Sequence, residues 1–171
     1  MKIKKMVLTG LLMSLAIVIP VMFGGFLRIT IPPFSATLAS HVPIFLSMFL
    51  GPLAAAVVAI GSAIGFLITS PAVIAARAFM HLGVSVIGSY MLKSGKSYWT
   101  TMIVIAPIHG LLECLVVVPF GFDLYKAFIV VGIGTILHHF VDAVITKAIL
   151  PLMKIASPAF EEEMKDNTKI A

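Results

Sequence analysis

Residues 53–68 read LAAAVVAIGSAIGFLI, a run with no charge and no polar face wider than one serine. As a helix it is apolar all round, so its outer surface faces lipid rather than water. The rest of the chain has the same character. Of 171 residues, 60% are hydrophobic and 11% charged, against roughly 25% charged in an ordinary soluble domain. A mean hydropathy of +1.14 cannot come from burying one apolar face per helix. The expected fold class is an all-α membrane protein, a compact six-transmembrane-helix bundle with almost no soluble part.

Proline, glycine and charge place the spans at about 6–23, 41–50, 53–68, 72–92, 98–119 and 124–150. Residues 24–40 carry Arg28 and the Pro32-Pro33 pair, which makes them extended or looped. Gly51-Pro52 is an uncharged turn, and residues 93–97 (KSGKS) are a polar loop. Only residues 151–171, with Glu161, Glu162, Glu163 and several lysines, look soluble, so the chain reads as a single integral membrane domain. No cleavable signal peptide is expected, since the apolar stretch after the basic start lacks a small-residue cleavage site. A single cysteine, Cys114, within an apolar segment excludes a disulfide framework.

Charge sets the orientation. Lys2, Lys4, Lys5, Lys93, Lys96, Lys154, Lys165 and Lys169 fall on one side of a six-span chain, Arg28 and Lys126 on the other. The positive-inside rule then puts both termini in the cytoplasm of a multi-pass protein of the bacterial plasma membrane. The same rule accounts for the net charge of +5 without nucleic acid. Small residues form stripes at Ala55, Ala59 and Ala63, at Gly61 and Gly65, and at Gly10 and Ser14, spacings that let helix backbones approach closely. The third-helix stripes read as packing within the chain; the Gly10–Ser14 pair can equally seat a partner protein.

Ionisable groups inside membrane helices cost at least ~2.5 kcal/mol each when charged, so they mark function. Arg77 and His81 are four apart, as are His109 and Glu113, and His138 and Asp142, with His139 adjacent. Spacing of four stacks two side chains on one helix face, and lipid forces those faces inward. Depth, counted along each helix at 1.5 Å per residue, separates them. Arg77, His81 and Glu113 lie in the outer half with His41 at the outer face, His109 nearer the middle, and His138, His139 and Asp142 toward the cytoplasmic side. The expected substrate pocket is therefore outward-opening, lined by Arg77, His81, Glu113, His109 and His41 and roofed by Arg28. Arg77 can also simply pair with Glu113 to close the bundle, and His138 with Asp142. A metal site is not expected: His-Glu-x-x-His is absent, and His138 and His139 point to different helix faces. Without a nucleophile-and-base spacing or a phosphate loop, the chain does not read as an enzyme.

The run from Pro32 to Leu46, PPFSATLASHVPIFL, followed by GPLAAA at 51–56, resembles the second and third helices of the substrate-binding S components of energy-coupling factor (ECF) vitamin transporters. The resemblance covers nearly the whole chain. Within that family, AARAFMH at 75–81 and HHFVD at 138–142 are most similar to the niacin-transporter branch. It implies a high-affinity vitamin-binding subunit with a lid formed partly by the first loop. The implied partners are a transmembrane coupling subunit and two ATP-binding-cassette ATPases that use the ATP, with no cofactor of the chain's own. Docking in the family uses an Ala-x-x-x-Ala motif in the first helix; Gly10 and Ser14 are the nearest match here. Nicotinate, a ring with a carboxylate, fits Arg77, whose fork can hold the carboxylate through two hydrogen bonds, with His81 or His109 at the ring nitrogen. Pantothenate, biotin or a pyrimidine as substrate, a standalone permease and a His/Asp metalloenzyme are the alternatives.

Overall fold

The computed structural model describes residues 3–32 and 34–168; Lys2, Pro33 and Lys169 lie outside them. Helix α1 (Ile3–Phe23) runs alongside α3 (Pro52–Thr69). The contact between them is the small-residue stripe of α3. A Cβ placed on Gly61 would fall 2.5 Å from Met13 Cγ, and one on Gly65 would fall 2.9 Å from Ile17 Cα. Packing here needs close backbone approach, as the spacing predicts. Gly65→Leu is expected to push α1 away at a cost of about 1–3 kcal/mol. Thermal unfolding in detergent measures it, and an unchanged midpoint would show that the seam is loose.

The contacts advance together along both helices, from Gly61 on Met13 to Gly65 on Ile17, so the two helices are parallel. Gly51, just before α3, accordingly lies at the start of α1, where an added Cβ would sit 3.0 Å from both Lys5 Nζ and Asn167 Oδ1. Its φ of +106° is open only to glycine, and Pro52 opens the helix. The chain between α1 and α3 must therefore travel back the length of the bundle. It starts with a β-hairpin, β1 (Arg28–Ile31) against β2 (Phe34–Thr37), pairing Arg28 with Thr37 and Ile31 with Phe34. The looped 24–40 region thus contains strand, a departure from all-α.

The way back continues through residues 40–50, every one buried, and includes α2 (Val42–Met48). Its seven residues span only about 10 Å at 1.5 Å each, so the span expected at 41–50 is not a membrane-crossing helix. Among the described residues, five helices rather than six are long and apolar enough to cross: Ile3–Phe23, Pro52–Thr69, Ala72–Lys93, Tyr98–Phe120 and Lys126–Ala156. The physical reason is that residues 40–50 are enclosed by protein. Backbone can leave the helix at membrane depth where it does not meet lipid.

The fourth span is divided into α4 (Ala72–Phe79) and α5 (His81–Lys93) at Met80, whose N–H donates to Arg77 O at 3.0 Å. Helix α6 (Tyr98–Val117) starts under a Ser97 cap, with Thr100 N–H donating to Ser97 Oγ at 3.1 Å. It ends in a 3₁₀ turn, Val118–Phe120. Beyond it, Asp123 accepts the Lys126 N–H at 2.8 Å and lies 3.0 Å from the Lys126 ammonium. That backbone hydrogen bond, then the side-chain one, holds its carboxyl below the usual carboxylate range. A π-helical turn, Lys126–Gly132, leads into α7 (Ile133–Ala156), and α8 (Pro158–Asn167) follows. Helix α8 is docked: Phe160 is fully buried in the core, and Glu162 meets Lys4 at 2.8 Å.

The start of α1 and helix α8 thus share one end of the bundle. Hairpin, 69–71 turn and 120–123 turn share the other. Arg28 Nη1 donates to Ser70 Oγ at 3.3 Å, and Pro32 borders the same depression as Phe120, Phe122 and Lys126.

Candidate substrate-binding site

At the hairpin end, residues from the hairpin and six helices enclose a cavity of about 30 Å³. Arg28, Ser35 and Thr37 come from the hairpin, His41 from the start of α2, Phe66 from α3, Arg77 and Ala78 from α4, His81 from α5, Glu113 from α6 and His138 from α7. Every sequence-selected residue except His109 lines it, and His109 stands directly behind, its Nε2 3.3 Å from Glu113 Oε1.

The pocket's charge centre is the pair expected from the sequence. Arg77 is 6% exposed and Glu113 3%. Glu113 Oε2 accepts from Arg77 Nε at 2.8 Å, lies 2.7 Å from Arg77 Nη2, and accepts from Thr135 Oγ1 at 2.5 Å. Arg77 Nη1 donates to Ser35 O at 3.2 Å, and its guanidinium lies 5.2 Å from the Phe34 ring centre. Arg28 reaches the same residue from the other side, donating from Nη2 to Ser35 Oγ at 3.0 Å. Two guanidiniums therefore bracket Ser35. Only Arg77 has a carboxylate partner; the recorded hydrogen bonds of Arg28 go to hydroxyls. Among the lining residues, two arginines face one glutamate, and Arg28 is the one it does not reach.

The separation by depth fails. His41 Nε2 is 3.1 Å from His81 Nε2, and His109 Nδ1 is 3.1 Å from His139 Nδ1. His138 Nε2 lies 3.2 Å from Asp142 Oδ2, which is itself 3.1 Å from His41 Nδ1. All five histidines and both acids form one buried network. The antiparallel register of α6 and α7, Glu113 beside Thr135 and His109 beside His139, puts the supposedly cytoplasmic cluster level with the pocket. Counting along each helix from its own start does not give the level of one helix against another, which the Thr135–Glu113 and His139–His109 contacts set. His138 and His139 do face different ways, toward Thr37 O and Met102 O respectively.

Sequence reasoning passed over Ser35, Thr37 and Ser40 as lining residues, and Asp142 as the anchor of the α2 entry. Asp142 accepts the backbone N–H of Ala39 at 2.8 Å and of His41 at 2.9 Å. The only available signal was their position: Ser35, Thr37 and Ser40 follow a proline pair in a loop, and Asp142 is an acid inside an apolar span. The docking candidates lie elsewhere, on the outer side of α1. A Cβ on Gly10 would meet nothing within 4 Å, and Ser14 Oγ donates to Gly10 O at 2.9 Å.

Chemically the site suits a small monoanion with an apolar body. Arginine presents a rigid fork to a carboxylate, and Phe66, Ile74 and Ala78 offer an apolar wall. A single water needs ~10–15 Å³ of such space, so the cavity as it stands is sized for water rather than a ring.

Over 185 aligned residues, 98% of this chain and 81% of the relative, the chain is 32% identical to the niacin transporter NiaX of Lactococcus lactis subsp. cremoris (strain MG1363). No family model matches the chain, and no solved structure matches it.

Proposed function

We propose, since this chain belongs to the niacin-transporter branch of the S components of ECF transporters, that it binds nicotinate from the outer face of the cell membrane and delivers it through an ECF module. The observation that carries the reading is the pair of guanidiniums converging on Ser35 against a single carboxylate. A carboxylate entering between Arg28 and Arg77 gives Arg28 the carboxylate partner it lacks. In a site shielded from water, that contact is stronger than at a surface. The ring then lies along Phe66, Ile74 and Ala78.

Entry requires the hairpin to shift, because the closed cavity does not hold a ring. The hairpin meets the bundle through Arg28–Ser70, Arg77–Ser35 and His138–Thr37, and a ligand carboxylate can replace the arginine contacts. With the positive-inside rule, the end holding Lys4, Lys5 and α8 is cytoplasmic and the hairpin end extracytoplasmic. The exposed Gly10–Ser14 face of α1 is the docking surface for a transmembrane coupling subunit, and two partner ATPases supply the energy.

The test is equilibrium binding of nicotinate to the purified chain, with nicotinamide, pantothenate and biotin as competitors. Nicotinate is expected to bind and the larger vitamins not to compete. Arg28→Ala removes hydrogen bonds to a charged ligand, each worth about 1.5–3 kcal/mol, and is expected to weaken binding roughly tenfold to hundredfold. Unchanged affinity would remove Arg28 from the site, and tight binding of another vitamin would replace nicotinate.

A further inference from the structure

Three imidazoles meet at the cavity's inner wall in a geometry that nicotinate binding does not require. The ring centres of His41, His81 and His109 form a near-equilateral triangle of 4.7, 4.9 and 5.0 Å, and their planes cross at 86°, 78° and 82°. Imidazoles bound to one ion at ~2.0–2.1 Å place their ring centres ~4.5 Å apart for right-angled ligand directions and ~5.2 Å apart for tetrahedral ones. The observed triangle falls between. His81 Nε2 is 3.1 Å from His41 Nε2, and Glu113 Oε1 is 3.6 Å from His81 Nε2 and 3.3 Å from His109 Nε2. Neighbouring donors around a tetrahedral zinc ion stand ~3.3–3.4 Å apart.

Each of the three rings keeps one buried nitrogen without a hydrogen-bond partner: His41 Nδ1, His81 Nδ1 and His109 Nε2. Met102 O can only accept, so His139 donates to it from Nε2. Neutral His139 then accepts at Nδ1, and His109 must donate from its own Nδ1. That leaves His109 Nε2 as a lone pair, fully buried, without a hydrogen-bond partner, beside a carboxylate oxygen. A proton or a metal ion between the two relieves this contact, and the converging imidazoles favour the metal ion. His41 Nδ1 lies 3.1 Å from an Asp142 carboxylate oxygen, and its Nε2 faces His81 Nε2 at 3.1 Å, with one proton between the two rings for a metal ion to displace. Metal-binding histidines are oriented by a hydrogen-bonding group behind the ring, a place that Asp142 takes for His41 and His139 for His109. Glu113 divides its oxygens accordingly, Oε2 to Arg77 and Thr135, Oε1 to the histidines.

We propose that His41, His81 and His109, with Glu113 Oε1, form a binding site for one divalent transition-metal ion of the zinc class. Imidazole and carboxylate donors suit zinc and its first-row neighbours. The second histidine group, His41, His138 and Asp142, needs no ion: backbone N–H groups of Ala39 and His41 satisfy Asp142, and His138 Nε2 donates to Thr37 O. Spacing along the chain could not show the triad, since His41, His81 and His109 come from three separate elements.

The experiment uses the full chain, purified in detergent without a histidine tag and stripped with chelator. Cobalt(II) is titrated while its visible ligand-field band is followed, and zinc is counted by mass spectrometry after desalting. The expected result is about one ion per chain, with a tetrahedral-type cobalt band, and affinity at least about tenfold weaker in His81→Ala and in His109→Ala. Unfolding profiles establish that the variants fold; should His109→Ala fail, His81→Ala, whose Nδ1 has no partner, still reads the site. Folded wild-type protein that takes up no stoichiometric ion, or variants that keep it undiminished, would overturn the proposal. No vitamin is added, so the outcome is independent of the niacin assignment.

Discussion

Glu113→Ala is expected to destabilise the protein by about 3–5 kcal/mol, because it leaves a buried guanidinium without its counter-ion. Arg77 is 6% exposed and gives two of its nitrogens to Glu113 Oε2, at 2.8 and 2.7 Å. Once the carboxylate is gone, only Ser35 O remains among its recorded acceptors, 3.2 Å from Nη1. Thermal unfolding in detergent reads the loss. The informative companion is the double variant Arg77→Met/Glu113→Leu. Replacing both members of a buried pair by apolar groups of similar size is often neutral or stabilising, so most of the stability is expected to return. Nicotinate binding is not, if Arg77 meets the ligand. A stable double variant that binds nicotinate as well as wild type would reduce Arg77 to a strut between α4 and α6.

The second large effect is expected at Asp142, the residue that fixes how the chain enters α2. Ala39 has a φ of +65°, a left-handed conformation that costs a residue with a Cβ roughly 1–2 kcal/mol. Asp142 offsets that strain by accepting the N–H of Ala39 and of His41. Asp142→Ala orphans both donors, each at about 1–3 kcal/mol, and removes the carboxylate beside His138. The consequence is local as well as global: residues 34–48 are expected to exchange amide hydrogens faster, as the hairpin and α2 detach from α7. Hydrogen-exchange mass spectrometry of the purified variant measures this. Exchange at the wild-type rate across that segment would show that packing of Phe45 and its neighbours, not Asp142, holds the entry.

Both variants bear on one physical theme. A membrane protein has little hydrophobic driving force between its helices, so polar contacts between elements decide which elements touch. Arg77–Glu113 joins α4 to α6, Thr135 ties α7 to the same carboxylate, and Asp142 ties α7 to the chain before α2. Each contact is a residue that sequence inspection marks as out of place in lipid.

The amino-acid sequence determined that this chain lies in a membrane, where most helices begin and end, and that Arg77, Glu113 and the histidines turn away from lipid. Composition and four-residue spacing suffice for that, because hydrocarbon tolerates only satisfied backbone and excludes charge. The tertiary structure alone decided height and partnership. Spacing reports the face of a helix but not its level against a neighbour, so the register of α6 on α7, which brings His139 to His109, was not legible. Nor was the return through residues 40–50: that segment is as apolar as a span, but it is enclosed by protein and so free to bend. There His41 enters the centre of the bundle instead of resting at its surface.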